Sequence, residues 1–404
     1  MKPVRTALYV CIASVGLLAQ ALCQSHSFGP MPLYGPPAPA SPTGPTVEVT
    51  LSKPFYHIRI DPQTGAPIMP TDVTATARAV QWPAGTPRPT VFTWRVLLDW
   101  DYKPYPTTCS LDDRTWTQAN PLHVDFGNEI RGGTLTVFAR TELNGRLISG
   151  KVHAMVLGDN PSRSQILKAF PRNRFGLIAS KIGMAESGLC QFTAPNGTDP
   201  GGMPEVSPTN DVGIMQLNAP TGSIDSPDQI WDWRANIRQG LAVLEGKQRT
   251  TRLAFRSATT SDRTPLTGLQ QLACLNLFRA SIGLNALSAP AIPALSEQPG
   301  SGTSPDDPDV DHVKLSQFER DAIRRYNGGS EYAYALLLAP NWPIIQKACW
   351  TIDPTRGGIN PKRGDPDYVR HVLAAHSGFT LAEPPKPVSH LPHHRRRRKR
   401  VASQ

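Results

Sequence analysis

A glutamate at the end of an apolar helix is the residue of this chain best placed for acid–base chemistry. Phe175 to Cys190 reads FGLIASKIGMAESGLC. Leu177, Ile178, Ile182 and Ala185 recur three or four residues apart, which predicts a central helix with few charges. Ser187-Gly188 ends it, directly after Glu186. A carboxyl in such surroundings loses hydration when it ionises, so its pKa rises and it can stay protonated near neutral pH. A glutamate there serves either as a solvated cap of its helix or as a general acid, the group that glycosidic cleavage needs to protonate a leaving oxygen. Further on, NDVGIMQLN (Asn210 to Asn218) returns a glycine, a methionine and a glutamine. The loop before it carries Asp199 and Glu205, and Asp211 follows at its end. There is no CxxC pair, so a zinc site is not expected, and no metal or organic cofactor is implied.

The elements that must hold these residues change character along the chain. From Val47 to Gly158, runs such as VEVTL, FYHIRI, VTATARAV, FTWRVLLDW and LTVFART have the period of two and the β-branched and aromatic content of strands. Asn144-Gly145 is a two-residue hairpin signal. This spacing predicts an N-terminal antiparallel β-sandwich of immunoglobulin-like size over residues 47–160. Trp94, in phase with Phe92, belongs in its core. Trp82, Trp100, Tyr102 and Tyr105 either stack on sugars or fill the sandwich and its seam.

After Asn160-Pro161-Ser162 the period becomes helical, with Ile166, Leu167 and Phe170 on one face. Gly197 to Asn210 reads as loop. Ser226-Pro227-Asp228 opens a helix whose Ile230, Trp233, Ile237, Leu241 and Leu244 form a stripe. More helices are expected from Leu266, over Lys314 to Tyr326, Tyr332 to Leu338, and Tyr368 to Ala375. Residues 288–313, poor in large apolar side chains, are expected to be a disordered insertion in this mainly α-helical domain, 161–380. The fold class is α+β and multidomain.

Composition bounds the setting. Proline reaches 41 of 404 residues, roughly double the ordinary share, and the stretch 24–46 reads as an extended proline-rich linker. Of the net charge of +10, six positive charges lie in Arg395 to Arg400, within a basic tail at 381–404. The remainder is only mildly basic, which argues against a nucleic-acid partner; the tail would instead raise the local concentration of the chain near anionic envelope polymers. Residues 1–23 read as a cleaved secretory signal: Lys2 and Arg5, an apolar run from Ala7 to Leu18, then Ala19-Gln20-Ala21. That run is shorter than the ~20 residues of a membrane span, and no other segment is long enough. An exported chain without a transmembrane segment, periplasmic or extracellular, is expected. Cys109, Cys190, Cys274 and Cys349 would remain after cleavage, and one bridge between two of Cys190, Cys274 and Cys349 is expected in an oxidising compartment.

Four short motifs in order resemble the soluble lytic transglycosylase (SLT) domain family of the lysozyme-like superfamily. They are Glu186-Ser187-Gly188 after an apolar helix, Gly213-Ile214-Met215-Gln216, Asn236-Ile237 with Gly240, and Tyr326-Asn327-Gly328-Gly329. Tyr368-Val369 resembles the closing Tyr-Val of the family. The similarity runs from about Ser164 to Ala375 and implies a lysozyme-like helical domain. It implies Glu186 as general acid and then base. Ser187, Gly213, Met215, Gln216, Tyr326 and Asn327 would form the substrate site. In it, Ser187 would bond near Glu186 or toward the sugar, and Gly213 would let the backbone approach the saccharide. Gln216 would meet the acetamido region, and Met215 would pack beneath. Tyr326 would orient the sugar from across the cleft, Asn327 would hold its turn or serve the site, and Asn236 would tie its helix to the neighbouring loop.

The activity implied is cleavage of the β-1,4 bond between N-acetylmuramic acid and N-acetylglucosamine in peptidoglycan glycan strands. The sugar's own 6-hydroxyl would attack, giving 1,6-anhydro ends. The alternatives are a hydrolytic muramidase of the same fold, with Asp199, Glu205 or Asp211 as second carboxylate, and a non-catalytic wall-binding or assembly protein. Asn218, an amide where goose-type lysozymes carry an aspartate, favours the anhydro route. Arg325 replaces the usual alanine before Tyr326. The β-sandwich would bind wall polymer or a secretion-system or envelope partner.

Overall fold

The computed structural model describes residues 44–100, 114–219, 221–254, 267–288, 294–338, 345–352 and 364–381. The expected signal, most of the proline-rich linker, Tyr102, Tyr105, Cys109 and the arginine run lie outside the described residues.

The N-terminal part is built from strands β1 (Thr46–Leu51), β2 (Phe55–Ile60), β3 (Pro67–Ile68), β4 (Thr74–Val80), β5 (Val91–Asp99), β6 (Arg114–Ala119), β7 (Leu122–His123), β8 (Gly133–Leu143) and β9 (Arg146–Gly158). Buried and outward residues alternate along β2, β4 and β5, as a half-buried pleat requires. A three-stranded sheet, β1-β4-β7, accompanies a six-stranded one, β3-β2-β9-β8-β5-β6. Val47, Val49, Ala75 and Ala77 of the first share a core with Tyr56, Ile58, Phe92, Trp94, Val96 and Val137 of the second. Asn144 (φ 51°) and Gly145 (φ 76°) turn β8 into β9, the positive φ values a tight hairpin demands.

One expectation needs correction. The larger sheet is mixed, because β2 runs parallel to β9 from Phe55 opposite Met155 to Ile58 opposite Gly158. The chain leaves β1 in one sheet and enters the other at β2, beside its last strand. The long stretch between them supplies the crossover that a parallel pair needs.

The helical part comprises α1 (Arg163–Ala169), α2 (Arg174–Ser187), a short hairpin β10 (Asp211–Val212) and β11 (Leu217–Asn218), then α3 (Asp228–Trp231), α4 (Trp233–Ala254), α5 (Thr267–Ser281), α6 (Gln317–Tyr326), a second hairpin β12 (Tyr332–Leu338) and β13 (Ile345–Ile352), and α7 (Tyr368–Ala374). Asn173 caps the start of α2 by accepting from the Gly176 amide, and left-handed Gly188 (φ 65°) stops it. Every residue from Gly176 to Gly183 is buried, the mark of a helix surrounded on all sides. The helix expected after Ser226 is two, broken at Asp232, whose backbone is extended.

Three more expectations are corrected. Tyr332 to Leu338 is a strand, paired antiparallel with Ile345 to Ile352 with a register shift at Leu337/Leu338; its short apolar run fits either period, and the ladder to β13 decides. Residues 294–313, within the stretch expected to be disordered, pack on the helices despite few apolar groups. Leu295 is buried, Asp307 meets buried Arg320 at 2.6 Å, and Asp311 meets buried Lys181 at 2.9 Å. Charge anchors there replace the missing apolar burial. Finally, Cys190, Cys274 and Cys349 are free thiols, set after α2, on α5 and on β13.

The two parts share one core. Trp231, fully buried, meets Trp100 edge-on at 5.7 Å and Phe192 at 5.8 Å, and a Cβ on Gly132 would come within 2.3 Å of its ring. Trp233 Nε1 donates to the Gly65 carbonyl at 3.0 Å, and Gln165 Nε2 to that of Asp61 at 3.1 Å. Trp100 thus fills the seam, while Trp82 is half-buried and donates to the Pro87 carbonyl. Trp231→Ala is expected to lower stability by about 3–5 kcal/mol, measured from the urea midpoint, with strand and helix signals melting together in the parent chain.

Candidate active site

Glu186 occupies the last turn of α2, half-buried, between Asp211 of the β10–β11 hairpin and Tyr368 at the start of α7. Burial pushes its carboxyl up to about 7. A hydrogen bond from the Tyr368 hydroxyl to Oε1, at 2.5 Å, works the other way, and the negative charges of Asp211 and Asp365 add to the rise. Burial also keeps the Tyr326 and Tyr368 hydroxyls protonated well beyond the ordinary tyrosine range, with the Glu186 charge reinforcing it. The site is therefore a protonated carboxyl ringed by neutral phenols and two further carboxylates.

The returning segment is fastened by buried amides. Asn236, fully buried on α4, accepts from the Met215 amide at 2.9 Å and donates to the carbonyls of Val212 (3.0 Å) and Gln229 (2.9 Å). Asn236 thus ties its helix to this turn, as the sequence implies. Gln191, missed in the sequence, accepts from the Ile214 amide at 3.2 Å and donates to the Ile230 carbonyl at 2.7 Å. Both side chains crowd Gly213: a Cβ there would lie 2.6 Å from Gln191 and 2.7 Å from Asn236, and its φ is +74°. Glycine is required by this inner packing. Met215 is fully buried, its sulfur 3.3 Å from where a Gly183 Cβ would stand and its Cγ 2.4 Å from that of Gly240. Gln216, at φ 44°, donates from Nε2 to the Gly213 carbonyl at 2.9 Å and closes the turn.

The polar groups of the other predicted site residues bond to the backbone. The Ser187 hydroxyl donates to the carbonyls of Gly183 (3.2 Å) and Ile214 (3.0 Å), beside Glu186, and so pins α2 to the turn. Tyr326 lies near Glu186, but its hydroxyl donates to the Met215 carbonyl at 2.7 Å. Asn327 caps α6, and its Oδ1 accepts from the Asp365 amide at 2.5 Å.

The loop carboxylates separate. Asp199 is exposed and accepts from the Gly201 amide at 2.9 Å. Glu205 is half-buried, which raises its carboxyl, and its charge acts on Cys190, whose thiol is raised first by burial. Asp211 faces Glu186 closely enough to influence it. It accepts from Asn218 Nδ2 at 2.6 Å, from Ser207 Oγ at 3.0 Å and from the Thr209 hydroxyl. Asn218 thus serves as a donor to the one loop carboxylate that acts on Glu186. The sequence also left Tyr368 without a role and gave no signal for Asp365.

No family model, no curated protein and no solved structure matches this chain. Among the described residues no group of three or more His, Cys, Asp or Glu is arranged to hold a metal ion, and no helix is long and apolar enough to cross a membrane.

A carboxyl whose folded pKa is raised binds its proton more tightly than the unfolded chain does. Stability therefore falls as pH rises from about 4.5 to about 7, and ionised Glu186 costs on the order of 3 kcal/mol beyond that window. Glu186→Gln is expected to stabilise the fold by about that amount at pH 8, with the difference vanishing near pH 4, as urea unfolding at the two pH values will show.

Proposed function

We propose that this chain is an exported enzyme that cleaves the β-1,4 bond between N-acetylmuramic acid and N-acetylglucosamine in peptidoglycan glycan strands, with Glu186 as general acid and then base. The observation that carries the reading is a carboxyl held protonated up to about 7 at the end of a buried helix, beside two negative charges. The order of the Glu-Ser-Gly, Gly-Ile-Met-Gln and Tyr-Asn motifs supports the substrate class.

Protonated Glu186 gives its proton to the leaving oxygen, and positive charge develops at the anomeric carbon. The negative charges of Asp211 and Asp365, which already act on Glu186, would favour that charge on a sugar bound beside it. Glu186, now ionised and steadied by Tyr368, accepts the proton of the attacking group. Where the sugar's 6-hydroxyl attacks, the product is a 1,6-anhydro end and the enzyme is a lytic transglycosylase.

A second reading has its own support. Asp211, the carboxylate that accepts from Asn218 and two hydroxyls, lies close enough to act on Glu186, and a second carboxylate beside the acid is what a two-carboxylate hydrolase requires. Water would then attack, and the chain would be a muramidase. A non-catalytic wall-binding protein is the reading that needs neither group. The β-sheets would hold wall polymer or an envelope or secretion-system partner.

Mass spectrometry of digested peptidoglycan tests these readings. Anhydro ends are expected from the parent chain, with activity falling as pH rises through about 7. Glu186→Gln should lose at least about a hundredfold; an undiminished rate, or no digestion by the parent, would refute catalysis. Asp211→Asn should leave the anhydro route within about tenfold, whereas reducing ends that vanish with the same change identify the muramidase.

A further inference from the structure

Between α6 and α7 the chain passes Glu186 through residues 364–367, and Asp365 uses its polar groups to join the two helices. Its amide donates to Asn327 Oδ1, at the cap of α6, at 2.5 Å. Its Oδ2 meets Nδ1 of His371, one turn into α7, at 2.6 Å. Its Oδ1 accepts from the Asp367 amide at 2.9 Å, and its carbonyl from the Tyr368 amide at 3.3 Å. A Cβ on Gly364 would stand 1.9 Å from the Asn327 carbonyl, so the approach of this segment to α6 is as close as glycine permits. Three residues after Asp365, Tyr368 delivers its hydroxyl to Glu186.

We propose that Asp365, clamped by Asn327 and His371, is a positioning residue that fixes the first turn of α7 and so keeps the Tyr368 hydroxyl on the Glu186 carboxyl. The inference rests on Glu186 being the proton donor. The groups facing Glu186 are Tyr368 from α7, Tyr326 from α6, Asp211 from β10 and Asp365 itself. Asp365 acts in two opposed ways. Its charge disfavours ionisation of Glu186, while the hydroxyl it positions favours the ionised form. His371, with 63% of its side chain exposed, contributes to the clamp alone.

The two effects separate by sign. In the full chain labelled with 13C at glutamate carboxyls, Asp365→Asn is expected to lower the Glu186 titration midpoint by about half a unit. It removes the charge and keeps an amide of the same shape. His371→Ala is expected to raise the midpoint by a similar amount, because the charge stays while the Tyr368 contact loosens. Asp367→Asn, an equal change of charge two residues away, should leave it in place. On glycan, the alkaline limb of kcat should follow each midpoint, with KM within about twofold. An unchanged or lowered midpoint in His371→Ala, or a shift from Asp367→Asn equal to that from Asp365→Asn, would overturn the proposal. Midpoints that move as stated in a chain that digests no glycan at any pH would uphold the clamp and refute the glycan-cleaving reading instead.

Discussion

A helix buried on every side has no place for a charge except at its end or against a partner inside. That constraint shapes α2 and, through it, the site. The one charge within its buried stretch, Lys181, is fully enclosed. It donates to the carbonyls of Leu373 (3.2 Å) and Ala375 (2.6 Å), which close α7, and pairs with Asp311. An ammonium at a helix C-terminus meets the orphan carbonyls and the negative end of the dipole, so an expensive buried charge becomes the fastening of α7. Glu186, five residues on, lies at the other permitted place. Lys181 grips the end of α7 and Glu186 meets its beginning, at Tyr368.

Around this frame the β10–β11 turn is held by backbone-directed amides and hydroxyls. Asn236, Gln191, Ser187 and Tyr326 each satisfy peptide groups of the β10–β11 turn. A turn of buried N–H and C=O groups cannot be left unpaired without a cost of roughly 1–3 kcal/mol each. Side chains that resemble sugar-binding groups by position are thus engaged in holding the wall of the site. Not engaged in that wall are the carboxyl of Glu186, the Tyr368 hydroxyl on it and the charges on either side.

The sequence makes some of this legible and hides the rest for definable reasons. An apolar helix ending in glutamate announces both the burial of Glu186 and the direction of its pKa. Gly213 is the right residue for a different cause: the crowding is by Gln191 and Asn236, whose contacts no local pattern reveals. Ser187 next to a carboxyl invites a functional role, yet a serine in the last turn of a helix readily bonds back to a carbonyl one turn earlier. Tyr368 reaches Glu186 across 182 residues of chain, so only the folded path of α7 brings them together. Tyr332 to Leu338 fits two periods, and its partner strand lies beyond the window in which periodicity is read. The parallel pairing of β2 with β9 is likewise a matter of topology, silent in either strand alone.

The joint around Trp231 bears on geometry at a larger scale. Trp100 and Gly132 from the sheets close on the same indole that Phe192 meets from the helical side, and Trp233 donates to a carbonyl of the β-domain. A linker would let the helical domain sample many orientations about whatever the sheets grip. A joint filled by packed aromatic rings allows one. The sheets and Glu186 are therefore held at one mutual orientation, and whatever meets the one lies at a fixed angle to the other.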